Sequence, residues 1–595
     1  MFTENSTQKK MIAWAVLLLT VVFLETVFFR SMIFNNDNIV GDLGDSRLVS
    51  LILEHWYKVF CGKEGIRDLS MFYPVKNTLG YSDALFLLSL PYSVLRVSGI
   101  SWLTAYQLTL IIIHFFGGIC LAWFLRKSLK LPLWTCIIGL IIGNFSNSYF
   151  VKISISHSQF ITHSLVPLLF IFLKIFYDSF TPCLQKKRMI YGILSIFLFA
   201  GILLTSFYVG FFCAFFLLTV NIVIAIYLLK INSENLRKAI KIIKAYKFEI
   251  LIYIVTGIVV LLPFLWIYLP IYKEMGGRNI GGVLFYLPYW YDFFNVSPTN
   301  LIWSFPNTSE KYELMVGYPL ITGIILIIGC VYYIRQSIKK TLSFEKKEKS
   351  FYMLIGFSFA IAIISLLLLK IDMRQIVSIL EEKGIINMKQ IGSILDENGI
   401  SDAESKIKNK AGFSLWFFAY FLVPGASAMW TVVRFNQFLS FPAGIIIACF
   451  LSEKLRIVNK NYIKYWVCIV LIALIFFEHQ NTREMSYWTK SYINSYLEKV
   501  SAPPESCESF LLVNNDTSEN YVYQLDAWTI ANKYNIKTIN GYSGQSPKNW
   551  YYIYDMESNR NYSDILRWID EHNLENVYLY DYKNDKWIRC TESVL

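Results

Sequence analysis

Long apolar runs with almost no charge constrain this chain more than any other feature, because they decide the solvent in which it folds. Stretches such as "AWAVLLLTVVFLETVFF" and "LITGIILIIGCVYYI", extended by their apolar flanks, are long enough to cross ~30 Å of hydrocarbon as helices. The alternating strands of a transmembrane barrel are excluded by the same runs. The 595 residues are 55% hydrophobic, 17% aromatic and only 16% charged, with a mean hydropathy of +0.44. Such a composition describes a mainly α, polytopic helical membrane protein.

A formal net charge of +12 would suggest a nucleic-acid partner for a soluble protein. Here the basic residues sit in loops between apolar runs, which is the positive-inside pattern and calls for no nucleic acid. Clusters at Arg126, Lys127 and Lys130, at Lys186 to Arg188, from Lys230 to Lys247, from Arg335 to Lys349 and from Lys454 to Lys464 mark the cytoplasmic loops. Crossings are expected near 11–30, 103–125, 132–148, 160–178, 189–206, 208–230, 248–270, 316–334, 351–370, 434–452 and 463–479. The first run lacks a small-residue cleavage site and is read as a retained helix with a cytoplasmic N-terminus. An odd number of crossings places the C-terminus outside. The apolar pieces 84–95 and 413–424 are short and carry Pro91 and Pro424; re-entrant or tilted elements are expected there, for a total of 11–13 membrane helices.

Residues 1–480 form the expected transmembrane domain, with outer loops at 31–83, 271–315 and 371–412. In the last loop "RQIVSILEEKGI" and "MKQIGSILDENGI" show helical periodicity and a Gly stop, which predicts a pair of surface helices. A linker is expected at 481–504, and residues 505–595 alternate strand-like and helix-like segments as a small extracytoplasmic α/β domain does. Cys507 and Cys590 lie near its ends and are candidates for a disulfide. No C-x-x-C pair is present, and most other cysteines lie inside apolar runs as small hydrophobes.

Candidate chemistry gathers in the outer segments. Asp42 and Asp45, in "GDLGDSRLVSLILEHWY", are spaced to share a divalent ion such as Mg or Mn, to act as base and positioning group, or to cap the helix that follows. Arg47, Glu54 and His55 follow at helical spacing on an amphipathic stretch expected to lie along the membrane surface, with Trp56 and Tyr57 at headgroup level. "FYPVKNTLGYSDALF" offers Lys76 and Asp83, and "ISHSQFITH" places His157 and Gln159 at an outer turn. Arg434, in "PGASAMWTVVRFNQF", enters the membrane from the outer face, where an arginine is costly without an anion. In "NGYSGQSPKNW", Tyr542 and Trp550 either stack on a sugar or belong to turn structure.

The ordered set "GDLGDSRL", "FYPVKNTLGYSD", "HSQ" with "VPL", "PG" with "RF", and "DAW" with "NGYSGQSP" resembles the bacterial membrane glycosyltransferases of the GT-C fold. The resemblance implies a polyprenyl-phosphate or -diphosphate sugar donor and a carboxylate of the first outer loop as catalytic centre; the acceptor expected here is a cell-surface glycan on the extracytoplasmic face. The resemblance carries a base or metal-ligand role onto Asp42 or Asp45, with Asp42 the first choice for the base. Donor phosphate contacts are expected from Arg434, Arg47, Lys76 or Arg278, and cavity-wall roles from His157 and Gln159. The chain lacks the Asp-Glu pair of the protein mannosyltransferases and the tryptophan-rich motif of the oligosaccharyltransferases. The same features are compatible with a lipid-linked glycan transporter, or with a polymerase or ligase of lipid-linked chains.

Overall fold

A computed structural model describes residues 7–231, 237, 241, 244–304, 312–338, 349–372, 382–384, 412–457, 461–513, 515, 519–550 and 562–590. Nearly all of the two surface helices expected within 371–412 lies outside these residues. Among the described residues ten helices are long and apolar enough to cross a membrane: Gln8–Phe28, Trp102–Ser128, Leu133–Ile155, Ser158–Asp178, Gln185–Thr205, Phe207–Leu229, Lys247–Met275, Leu320–Ile338, Ser350–Leu368 and Val432–Leu455. The eleventh expected crossing is the 18-residue helix Asn461–Glu478. The piece 84–95 becomes the 12-residue helix Phe86–Val97 with Pro91 inside it, and 413–424 becomes a short strand followed by the 7-residue helix Trp416–Leu422. At about 1.5 Å of rise per residue neither reaches across ~30 Å.

Connectivity sorts the helix ends into two sets. Arg126 and Lys127 close one crossing, Lys186 to Arg188 open another, and Arg335 and Lys454 sit in the last turns of two more. All of these lie on the side expected to be cytoplasmic. The opposite side collects the end of Gln185–Thr205, the start of Phe207–Ile231, the end of Lys247–Met275 and the start of Phe435–Leu455. Segment 67–81 braces the proline-containing helix Lys247–Met275 there. Pro270 leaves the Trp266 carbonyl without its helical donor, and Arg67 donates to that oxygen at 3.3 Å while stacking 4.2 Å from the Trp266 ring. Asn77 likewise donates to the Ile267 carbonyl.

The strands are short and confined to this side: β1 Asn38–Val40, β2 Lys370–Asp372, β3 Gly412–Ser414, β4 Tyr487–Thr489, β5 Ser509–Val513, β6 Lys537–Thr538, β7 Val577–Asp581 and β8 Lys586–Arg589. The last four form one sheet in the order β6-β5-β7-β8, parallel except for the β7–β8 pair. Helices Asn520–Tyr534 and Tyr562–Glu571 complete the small α/β unit. The expected linker is structured: β4 pairs antiparallel with β1, and Lys490–Glu498 is a helix. Cys507 and Cys590 are free thiols, so the unit is held by packing and hydrogen bonds.

Helix Asp45–Phe60 departs from expectation in a way that shapes the whole site. It does not lie on the membrane surface; Ser46 to Trp56 are all buried, between helix Phe86–Val97 and helix Asn520–Tyr534. The reason is that its polar side chains are matched. Arg47 is fully enclosed and binds Asp526 at 2.6 Å and Thr529 at 2.7 Å. Glu54 accepts from Tyr92 and Arg96, while His55 and Lys58 meet Glu64. Trp56 donates to the Ala84 carbonyl rather than anchoring at headgroups. Segment 70–73 also runs beside β6, with the Phe72 amide bonded to Asn540 and the Thr538 amide to Ser70. The α/β unit is thereby built into the face opposite the basic helix ends.

Removing one partner of a buried pair strands the other charge, at a cost of about 3–5 kcal/mol. Asp526→Ala is expected to lower the melting temperature of the purified protein and expose the chain near residue 500 to limited proteolysis. Arg47→Met combined with Asp526→Leu, which removes both charges, is expected to recover much of the loss.

Candidate active site

A cavity of about 930 Å³ opens on the side opposite the basic helix ends, where the membrane helices meet the α/β unit. One wall is apolar, from Leu203, Phe207, Phe211, Phe264, Leu265 and Leu269. The other carries Asp45, Asp83, Gln159, Arg278, Arg434 and Gln545. The space therefore suits a molecule with a hydrocarbon part and a polar, anionic part.

The "GDLGD" turn separates its two carboxylates. Gly41 has φ +110°, and a Cβ there would stand 2.6 Å from the Ser46 Cβ, so only glycine lets the chain double back tightly onto the helix start. Asp42 caps that helix: its carboxylate accepts from the Ser46 amide at 3.2 Å, and it is not part of the cavity wall. Burial first, then the nearby charge of Asp45, push the Asp42 carboxyl up to about 6 against the amide bonds of Ser46 and Gly44. Asp45 is one turn further and faces the cavity, with 31% of its side chain exposed. Its Oδ1 accepts from the Tyr542 hydroxyl at 2.9 Å, and its Oδ2 lies 3.1 Å from His157 Nδ1. Burial alone would raise its pKa; the hydrogen bond and charge of His157, aided by Tyr542 and Arg434, bring it below the ordinary value.

His157 continues the array inward. Its Nε2 is 3.0 Å from Glu313 Oε1, so the ring spans two carboxylates. Arg434 binds Glu313 with Nε and Nη2, at 3.0 and 2.5 Å, and packs over the rings of Phe160 and Tyr208. Lys152, fully enclosed, donates to Glu313 Oε2 at 2.7 Å and to the Tyr312 carbonyl at 3.1 Å. Burial opposes ionisation of Glu313, but Arg434, Lys152 and His157 together hold it well below the usual carboxylate range. Sequence reasoning does not single out Glu313 or Lys152. The available signal is one of charge balance: Lys152 in "YFVKISIS" and Arg434 both enter apolar segments, and two such cations require an anion brought from elsewhere in the chain.

The remaining sequence candidates divide by place. Asp83 lines the cavity and accepts from the Phe207 amide and the Ser206 hydroxyl; burial, the largest influence, raises its carboxyl to about 6. Gln159 lines it with a buried Oε1 that has no hydrogen-bond partner among the described residues. Arg278 lines it beside the α/β unit, donating to the Gly544 carbonyl at 2.8 Å. Arg47, Glu54 and His55 are elsewhere, engaged in the pairs that bury their helix, and Lys76 is 79% exposed beside Asp68. Trp550 is buried edge-on against Phe72, donates to the Ile539 carbonyl, and presents no face to a sugar.

The donor set does not suit a metal shared by Asp42 and Asp45. Asp45 Oδ1 accepts from Tyr542, its Oδ2 lies 3.1 Å from His157 Nδ1, and Asp42 accepts from the Ser46 amide, so the two carboxylates are directed to different partners rather than to one shared point. Among the described residues no group of three or more His, Cys, Asp or Glu side chains is placed to hold a metal ion.

No family model and no curated protein matches the sequence. Solved structures of an oligosaccharyltransferase from Archaeoglobus fulgidus are similar at 11% identity: one tethered to an acceptor peptide with an NVT sequon has a TM-score of 0.48 over 96% of this chain and 69% of its own, and the apo form one of 0.46 over 91% and 65%. The chain thus spans about two thirds of the length of those proteins.

Asp42 and Asp83 give the site a distinct pH signature. Between the ordinary aspartate value of 3.8 and about 6, the folded protein holds protons on them that the unfolded chain has released, so their contribution to stability falls as pH rises through that window. Asp45 and Glu313, shifted downward, act below it. Melting temperatures from about pH 4.5 to about pH 7 are expected to fall more for the wild type than for an Asp42→Asn, Asp83→Asn variant. Parallel curves would contradict this.

Proposed function

We propose that this chain is a multi-pass membrane glycosyltransferase of the GT-C type, which moves a sugar from a polyprenyl-phosphate donor to a cell-surface glycan on the extracytoplasmic face. The observation that carries the reading is the pairing, in one cavity, of an apolar wall built from membrane helices with a carboxylate held from two sides, Asp45 between His157 and Tyr542. A lipid-linked donor needs the first and glycosyl transfer the second.

In this reading the donor's hydrocarbon lies against the wall formed by Phe207, Phe211, Phe264 and Leu269, and its sugar faces Asp45. The acceptor hydroxyl hydrogen-bonds to Asp45, which is ionised at neutral pH, and attacks the anomeric carbon from the side opposite the phosphate. The new glycosidic C–O bond forms as the sugar–phosphate C–O bond breaks; the hydroxyl proton passes to Asp45 and the phosphate leaves with both bonding electrons on the lipid side. One displacement inverts the anomeric centre. His157 and Tyr542 are positioning residues, and Glu313, fixed by Lys152 and Arg434, holds His157 in turn. The base role first placed on Asp42 passes to Asp45, because Asp42 is spent on capping its helix.

General acid–base groups contribute about 10²- to 10⁴-fold to rate. Asp45→Asn is expected to reduce sugar transfer from a polyprenyl-phosphate donor by that factor in membranes, while Asp42→Asn retains most of the activity. A fully active Asp45→Asn enzyme would refute the assignment, as would export of the lipid-linked sugar without transfer.

A further inference from the structure

Four cations are candidates for the donor phosphate on sequence grounds, and the structure leaves them in very different states. Arg47 is buried against Asp526, and Lys76 lies outside the cavity wall beside Asp68. Arg434 reaches the cavity, but Glu313 already satisfies it through two hydrogen bonds. Arg278 is the cavity-lining cation that has no carboxylate within ion-pair distance among the described residues.

Its position is as informative as its charge. Arg278 follows helix Lys247–Met275, which turns off at Gly276 with φ +72°. Of that helix only Glu249, Ile267 and Ile271 are buried, a surface suited to lipid, and its last turns supply Leu265, Leu269 and Tyr272 to the cavity. The guanidinium therefore stands where a membrane-helix face ends and the polar half of the cavity begins, the depth at which a lipid's headgroup lies. It is held there from the α/β unit: Nη2 donates to the Gly544 carbonyl at 2.8 Å, and the Trp430 ring centroid is 5.9 Å away. The backbone is fixed separately, by an amide bond to Ser427 and by the Tyr420 hydroxyl on its carbonyl. Two residues before Gly544, Tyr542 holds Asp45. One short segment thus grips both a free cation at the lipid edge and the carboxylate at the sugar end.

We propose that Arg278 is the receptor for the donor's phosphate, that it is matched to a single phosphodiester charge rather than a diphosphate, and that segment 542–545 sets its distance from Asp45. This rests on the lipid-linked donor reading above. A planar guanidinium with one edge on a backbone carbonyl keeps further N–H groups for a phosphate oxygen. Lys152 and Arg434 are both engaged by Glu313, and the polar wall also carries the acids Asp45 and Asp83, so a second phosphate charge would face carboxylates rather than a further uncommitted cation.

The test uses sugar-free lipids, so that binding is separated from transfer. The purified protein is titrated in detergent with a short-chain polyprenol, its monophosphate as the methyl diester, which carries one charge, and its diphosphate as the methyl ester, which carries two, following intrinsic tryptophan fluorescence. The wild type is expected to bind the monophosphate more tightly than the alcohol, with the diphosphate no tighter than the monophosphate. Arg278→Gln is expected to lose about tenfold or more in monophosphate affinity, with polyprenol binding and melting temperature unchanged and partial recovery in Arg278→Lys. Unchanged monophosphate affinity in Arg278→Gln overturns the assignment to Arg278 while leaving the donor reading intact. A wild type that does not distinguish monophosphate from polyprenol overturns both. A diphosphate bound tenfold more tightly overturns the single-charge match.

Discussion

The cavity-bearing half of this protein depends on the burial of two cations. Lys152 is enclosed among membrane helices and Arg434 enters a helix at the cavity floor; neither is tolerable in a low-dielectric surrounding without an anion. Glu313 supplies that anion to both at 2.7 and 2.5 Å. Its second duty follows from geometry, since the oxygen that accepts from Arg434 also lies 3.0 Å from His157, whose other nitrogen meets Asp45. The ion cluster that makes the cation burial stable is therefore also the frame that orients the carboxylate facing the cavity.

A second constraint comes from the other side of Asp45. Its helix, Asp45–Phe60, is clamped between membrane helices and the α/β unit, and the Arg47–Asp526 pair makes that clamp intolerant of partial undocking. From the same unit Gly544 lines the cavity and Tyr542 reaches Asp45 on its wall. The α/β unit is thus part of the site, and its burial against segment 70–73 explains why "NGYSGQSP" is distinctive: Gly541 fits because a Cβ would stand 2.3 Å from the Phe72 ring, and Asn540 knits β5 to β6.

Hydropathy and loop charge made the helices legible, because long apolar segments have one stable form in lipid. The carboxylates of "GDLGD" were legible as a pair, and Asp45, Asp83, His157, Gln159, Arg278 and Arg434 do converge on one region. What local pattern could not give was the division of labour. Whether Asp42 or Asp45 caps the helix depends on a Gly41 turn, and the amphipathic reading of "RLVSLILEHWY" failed because each polar residue meets a partner far along the chain, as Arg47 meets Asp526. Glu313 was illegible for the same reason: its importance lies in Lys152 and Arg434, 161 and 121 residues away.

Whether Arg278 and Asp45 hold the two ends of one lipid-linked donor is decided by a structure of the purified protein with a non-transferable donor, a polyprenyl phosphonate sugar. Hydrocarbon density is expected along the cavity face of helix Lys247–Met275, with the phosphonate at Arg278 and the sugar turned toward Asp45. A sugar placed away from Asp45, or a lipid bound wholly outside the cavity, would contradict this placement.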